Sequence, residues 1–255
     1  MLRFFELLTQ KNNCAITGTL FIAYSLKRFL LLQEAKTFIM EKKVKRKAGR
    51  PRDSKSLNTN DILRTALRCF AKQGYGGVTI NALAKETGVA DSLLHYHFGN
   101  KEQLWKKATS LIGKEIHQEL RDLFAMIGDM DGLEKLRLYN KKIIYISAKY
   151  PEFQQVVIQE VFSDNPRSAW LIDELMQPIF GFMEAILKEE MQKGRIKEIP
   201  PANLSSFIIG SITTLFTRSF QMRKMHGIDS FDPVQVDQHV ELMNDLLFTG
   251  LLKKG

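Results

Sequence analysis

Between Thr79 and Lys101 the chain has room for two short helices and little else. Ile80, Leu83 and Ala84 stand at helical spacing, Gly88 interrupts them, and Val89, Leu94 and Phe98 resume the pattern. Gly88 can supply the positive φ that a tight turn between two helices needs, and Ala84 is small where the next helix must cross closely. Thr79 is placed to cap the first of these helices, and Asn100 to cap the one that follows the motif. This layout is a helix-turn-helix, whose second helix lies in the major groove of DNA. Nucleic-acid binding is the first expectation it raises.

The charge distribution agrees. Residues 1–110 hold 20 Lys/Arg against 8 Asp/Glu, whereas residues 111–255 hold 17 against 20. A basic front on a near-neutral body suits a DNA-binding module joined to something else, although a basic face also suits anionic lipid. Seven of the positive charges fall within residues 42–52, with Gly49 and Pro51 among them, which reads as a flexible arm. Its Gly49-Arg50-Pro51-Arg52 core looks like an AT-hook, a narrow-minor-groove reader. Lys45, Arg46, Lys47, Arg50 and Arg52 are the candidate DNA contacts of this arm.

Ahead of it, the apolar run from Cys14 to Leu26 is broken by Lys27 and Arg28, too soon for a membrane helix of about 20 residues. The expected organisation is a non-native or disordered extension over 1–39, with Met40 as the natural start, and the basic arm over 40–55. A DNA-binding domain over 56–104 and a helical ligand-binding and dimerisation domain over 105–255 follow. No membrane partner is expected.

Other chemistries find little support. Cys14 and Cys69 alone make neither a disulfide framework nor a zinc site, and a reducing cytoplasm fits them. On a helix, His95 and His97 point their rings apart and no third ligand is near in sequence, so no metal is expected. No nucleophile–base arrangement, phosphate loop or dinucleotide fingerprint is present, so neither an enzyme nor a cofactor is expected.

Residues 58–108 resemble the DNA-binding domain of the TetR family of bacterial transcriptional regulators. The matching residues are Ile62-Leu63, Ala66, Phe70, Gly74-Tyr75, Thr79, Leu83-Ala84, Gly88-Val89, Leu94, Tyr96-His97-Phe98, Lys101-Glu102 and Leu104. The resemblance implies a helical homodimer that reads double-stranded DNA at a pseudo-palindromic operator, with a separate ligand-sensing domain. The chain departs from the family at Ala90, Leu93 and His95, so a relative's operator does not transfer.

Within the reading head, Thr79, Asp91, Ser92, Leu93, His95, Tyr96, His97 and Lys101 are the candidate DNA contacts. Ser92, His95 and Tyr96 can reach base edges or phosphates, and Leu93 can pack on a thymine methyl. Asp91 either answers the helix dipole or accepts from cytosine. Lys101 opens a helix, where an ammonium and free N–H groups can hold one phosphate together.

Beyond Glu102 the periodicity is helical throughout, with breaks at Gly128 to Gly132, Tyr150-Pro151, Asp164 to Pro166 and Ile199 to Pro201, so the fold class is all-α. Pro178 should kink or split the helix over 170–191. Trp170, Met176, Phe180, Phe182 and Met183 surround that point, and Phe153, Phe162, Phe207 and Phe216 are candidates for the same core. Such a lining suits a small lipophilic or aromatic effector, and equally a filled interior. Two apolar stripes, Leu204, Ile208, Ser211 and Leu215, then Val236, Val240, Met243, Leu247 and Leu251, are expected to form a four-helix dimer interface.

The leading functional expectation is a dimeric, ligand-responsive repressor that leaves its operator when effector binds. The alternative is a DNA-bound interaction protein whose body recruits a protein partner and senses no small molecule.

Overall fold

The computed structural model describes residues 58–252. The 1–39 extension and the 40–55 arm, with Lys45, Arg46, Lys47, Arg50 and Arg52, lie outside the described residues. Those described are helices joined by short connections and form no strand; a single antiparallel bridge pairs Ile196 with Leu252.

Helix α1 (Thr59–Gly77) starts where the Asn58 side chain accepts from the Asn60 N–H at 3.1 Å, and Gly74, at φ 72°, breaks its helical geometry. Ile62, Leu63, Ala66, Leu67 and Phe70 are its buried face, and Cys69 is half-buried beside them. Helix α2 (Ile80–Thr87) is capped by Thr79, which accepts from the Ala82 N–H at 3.1 Å, and ends at Gly88, at φ 68°. Helix α3 (Asp91–Phe98) follows after Gly88, Val89 and Ala90. Leu83, Leu94 and Phe98 meet α1 in a core sealed to within a few per cent of full burial. Each cap removes a donor that would otherwise lack a partner, and each glycine takes a conformation that costs other residues about 1–2 kcal/mol.

Helix α4 (Lys101–Ile127) begins with Asn100 accepting from the Gln103 N–H at 2.9 Å and continues for 27 residues. The boundary expected at residue 104 therefore falls inside one uninterrupted helix. The body adds α5 (Gly132–Lys149), α6 (Pro151–Val161), α7 (Pro166–Leu171), α8 (Gln177–Gln192), α9 (Pro201–Thr217), α10 (Ser219–His226) and α11 (Pro233–Leu251). Most of the breaks fall where Gly and Pro punctuate the sequence; the one between α9 and α10 falls at Arg218.

Pro178 splits its helix in a particular way. Between α7 and α8 lies a π-helical turn, Ile172–Met176, in which the Gln177 N–H donates to the Ile172 carbonyl. Proline has no N–H for the carbonyl four residues back, and the ladder slips to the wider register just before it. Gly113 of α4 faces this turn so closely that a Cβ there would lie 2.7 Å from a Leu175 methyl. The His117 ring meets the Leu175 carbonyl at 3.1 Å.

The stripe assignment on α9 and α11 is corrected. Leu204, Ile208, Val236, Val240, Leu247 and Leu251 are buried within the single chain, and Ser211, Leu215 and Met243 are half-buried. The exposed apolar side chains of these helices are instead Phe207, Val234, Leu242 and Leu246. Both helices carry more than one apolar face, and the better-formed stripe went to the chain's own core.

Glu119 ties α4 to α5 by accepting from Lys142 and Lys149, both at 2.8 Å, and from the Tyr150 hydroxyl at 2.9 Å. Partial burial works to raise its pKa, but these three donors outweigh it and hold the carboxyl at about 2. A depressed carboxylate contributes stability above its unfolded value and loses it as pH falls. Between pH 4.5 and 2 the native state should therefore weaken by on the order of 2 kcal/mol on this account, and Glu119→Gln should flatten that part of a urea-denaturation pH series. Gly88 has open space around a would-be Cβ but a positive φ, so Gly88→Ala should cost about 1 kcal/mol in urea denaturation through backbone strain alone.

Candidate nucleic-acid interface

Helix α3 divides cleanly by face. Leu94 and Phe98 are buried, while Ser92, His95, Tyr96 and His97 point to solvent, Tyr96 with 82% of its surface exposed. A large aromatic so exposed on a helix anchored by two buried neighbours is available for contact with a partner. Leu93 is half-buried against the core, so only part of it is free to touch a base.

Two candidate readers are already engaged within the helix. His95 Nδ1 lies 2.9 Å from the Gly99 carbonyl, and its Nε2 lies 3.3 Å from the Asp91 carboxylate. This bracket stiffens a helix that has no side-chain cap at Ala90. Ser92, Tyr96 and His97 keep more of their bonding capacity; the His97 ring stands edge-on to Tyr96 at 5.2 Å between centroids. Thr79 is exposed and spends its oxygen on the α2 cap, leaving its hydroxyl hydrogen to donate.

Lys101 is half-buried, its ammonium 4.3 Å from the centre of the Tyr75 ring. The guanidinium of Arg167, from α7, lies 3.8 Å from the same ring centre. Burial pushes the Tyr75 phenol upward, and so the ring stays neutral as a cation platform. Lys107, absent from the sequence expectations, joins the reading face. It is exposed and donates to the His97 carbonyl at 3.1 Å, beside the Phe98 ring. Lys107 lies nearly two turns beyond the start of α4, and only the crossing of α4 past α3 brings it to the reading face.

The residues expected to line an effector cavity are not gathered into one place. Met183 and Phe216 are buried; Phe216 packs against Phe231 and His239. Trp170 stands edge-on to Trp105, and Phe182 stacks on Phe124 at 3.7 Å. Met176 and Phe180 are half-buried near the π turn, whereas Phe153 is buried where α6 approaches α1. Phe162, 86% exposed just past the end of α6, and Phe207, 63% exposed on α9, face solvent. Among the described residues no three His, Cys, Asp or Glu side chains are placed to hold a metal ion, and no helix is long and apolar enough to cross a membrane.

Comparison with known proteins gives this geometry its context. Residues 62–108, from α1 into the first turns of α4, match the family described as bacterial regulatory proteins, tetR family. The HTH-type transcriptional regulator RutR of Escherichia coli K12 is 24% identical over 193 residues, covering 74% of this chain and 88% of RutR. A putative fatty acid metabolism regulator from Clostridium perfringens superposes with a TM-score of 0.64 at 22% identity, over 76% of this chain and all of that one. FadR from Bacillus subtilis, in complex with stearoyl-CoA, gives 0.55 at 24% identity, over 72% and 96%. All three relatives are described as regulators, RutR as a helix-turn-helix type. The reading head thus matches the tetR-family model along its three helices, and the described chain shares its fold with solved regulators to the far end of the body.

Proposed function

We propose that this protein is a cytoplasmic, homodimeric transcriptional repressor that leaves a pseudo-palindromic operator when a small lipophilic or aromatic effector binds. The observation that carries the reading is the outward row of Ser92, His95, Tyr96 and His97 on a helix held from behind by Leu94 and Phe98. Thr79, Lys101 and Lys107 supply hydroxyl and cationic groups on the same head for phosphates, and the arm Lys45, Arg46, Lys47, Arg50 and Arg52 adds charge for an adjacent minor groove. Asp91 and Leu93 act mainly by shaping α3.

The second copy is placed on the exposed faces of α9 and α11, where Phe207, Leu242 and Leu246 lie in solvent beside Gly210, which lets backbones approach. Two reading helices then reach successive major grooves if they stand one helical turn, about 34–36 Å, apart. An effector acts by preferring the arrangement in which they do not. The stearoyl-CoA complex of the Bacillus relative supports a lipophilic effector. Trp170, Met176, Phe180, Phe182 and Met183 near the π turn are the apolar side chains that such a molecule would have to part, whereas Phe153 and Phe216 lie apart from them. On this reading Phe162 and Phe207 meet solvent or the second copy.

A second reading, recruitment of a protein partner without effector, is favoured by one feature: the interior at Phe124, Tyr139 and Phe182 is closely stacked. A panel of acyl thioesters and aromatic acids separates the two. Retardation of DNA from the gene's own upstream region, relieved by any panel member, supports the repressor; equal binding to random duplex, with no relief, removes it.

Two variant sets test the parts. Lys101→Gln with Lys107→Gln should weaken binding to all duplexes and lower the log–log salt slope by about 2, whereas Tyr96→Ala should chiefly lower preference for upstream over random DNA. Phe207→Glu with Leu246→Glu should yield a folded monomer by light scattering, since both side chains already face solvent within one chain.

A further inference from the structure

The head and the body do not meet flush. Between α1 and the helices α4 to α6 lies a cleft of about 490 Å³, within the range that holds small ligands. Its apolar floor is Leu67 from the head and Ile112 and Phe153 from the body, all buried. Its walls are charged, and most of that charge is already matched. Arg64 donates to Glu115 at 2.5 Å, and Lys149 to Glu119 at 2.8 Å.

Two lining groups stand apart from these pairs. Arg68, exposed on α1, has the Thr65 hydroxyl at 2.9 Å as its hydrogen-bond partner and no carboxylate within ion-pair distance among the described residues. Glu152 lies across the cleft in the first turn of α6, a helix start with no side-chain cap. The backbone N–H groups there offset its carboxylate and lower its pull on cations. The guanidinium fork has donors to spare and matches a carboxylate or phosphate in shape.

We propose that this cleft is a binding site for a small anionic amphiphile, its charged group on Arg68 and its apolar part over Leu67, Ile112 and Phe153. The occupant touches α1 of the reading head and α6 of the body at once, so it wedges the angle between them. The site itself stands on the cleft's lining; only its consequence for DNA rests on the repressor reading above. Glu152 sets the selectivity, because its charge opposes an anion and tolerates one only while Arg68 is present.

The test is isothermal titration calorimetry of the full chain without DNA. The probes are sodium decanoate, decyltrimethylammonium with a tail of the same length, and inorganic phosphate. Expected is saturable decanoate binding, one per chain, weakened at least tenfold in Arg68→Gln and strengthened two- to fivefold in Glu152→Gln, with the cationic probe at least tenfold weaker. Both side chains lie at the rim, and thermal melts verify that the variants fold. Decanoate binding that is absent, or identical in both variants, overturns the site; so does phosphate alone binding as tightly, which makes the apolar floor irrelevant. The repressor reading fails separately: if decanoate binding depends on Arg68 while upstream DNA is never preferred, the cleft stands and the regulator does not.

Discussion

The protein is organised by one unbroken helix. At 27 residues and 1.5 Å per residue, α4 is a rod of about 40 Å that starts in the reading head and ends beneath the body. Its first two turns bring Lys101 to Tyr75 and Lys107 to the end of α3; its middle presses Gly113 and His117 against the π turn. A helix bends sharply only where something interrupts its hydrogen-bond ladder, and α4 contains no proline. A shift of the π turn must therefore reach the head as movement of the whole rod. The π turn is itself an irregular piece of helix, with its hydrogen bonds in the wider register just before Pro178.

A second link runs beside the first. Arg167 of α7 divides its guanidinium between the nearly buried carboxylate of Glu160, at 3.4 Å, and the ring of Tyr75 in the head. A buried carboxylate deprived of its cation is costly, so Arg167 cannot leave Glu160 freely, and Tyr75 follows wherever α7 goes. Gln159 of α6 adds a hydrogen bond to the Ala71 carbonyl of α1 at 2.8 Å. Head and body thus meet through α4 and a set of polar side-chain contacts between α1, α6 and α7.

How much of this was legible depended on how local the signal was. The Thr79 and Asn100 caps, and the positive φ at Gly88, are decided within four or five residues, and the sequence shows them directly. Pro178 announced a break but not its form, since the π register depends on how the preceding turn packs on Gly113. The stripes of α9 and α11 misled because a period of 3.6 reveals an apolar face without saying whose surface covers it. Val236 and Leu247 are covered by their own chain, whereas Leu242 and Leu246 are not. Likewise Phe162 and Phe207 counted as core by residue type alone; burial is a property of the assembled helices. The Arg167–Tyr75–Lys101 stack joins residues 66 positions from Arg167 to its nearer partner, Lys101, and no local pattern announces it.

The contrast between the two kinds of contact bears on how such a molecule changes state. Along α4 the helices lock through buried Leu, Ile and aromatic side chains, where displacing a residue opens a void costing several kcal/mol. At the head–body junction the partially exposed pairs Arg64–Glu115 and Lys149–Glu119 are each worth about 0–1 kcal/mol and re-form with neighbouring charges at little cost. The head is therefore held to the body by the buried apolar packing of α1 and by Arg167 on Glu160 and Tyr75, and the exposed pairs beside them contribute little. On the proposed repressor reading, a ligand that favours one setting of the head by about 3 kcal/mol would shift the balance more than a hundredfold. On that same proposed reading, a small molecule that decides whether Tyr96 and its neighbours face a groove would act at that junction, against weak polar pairs and not against the packed rod.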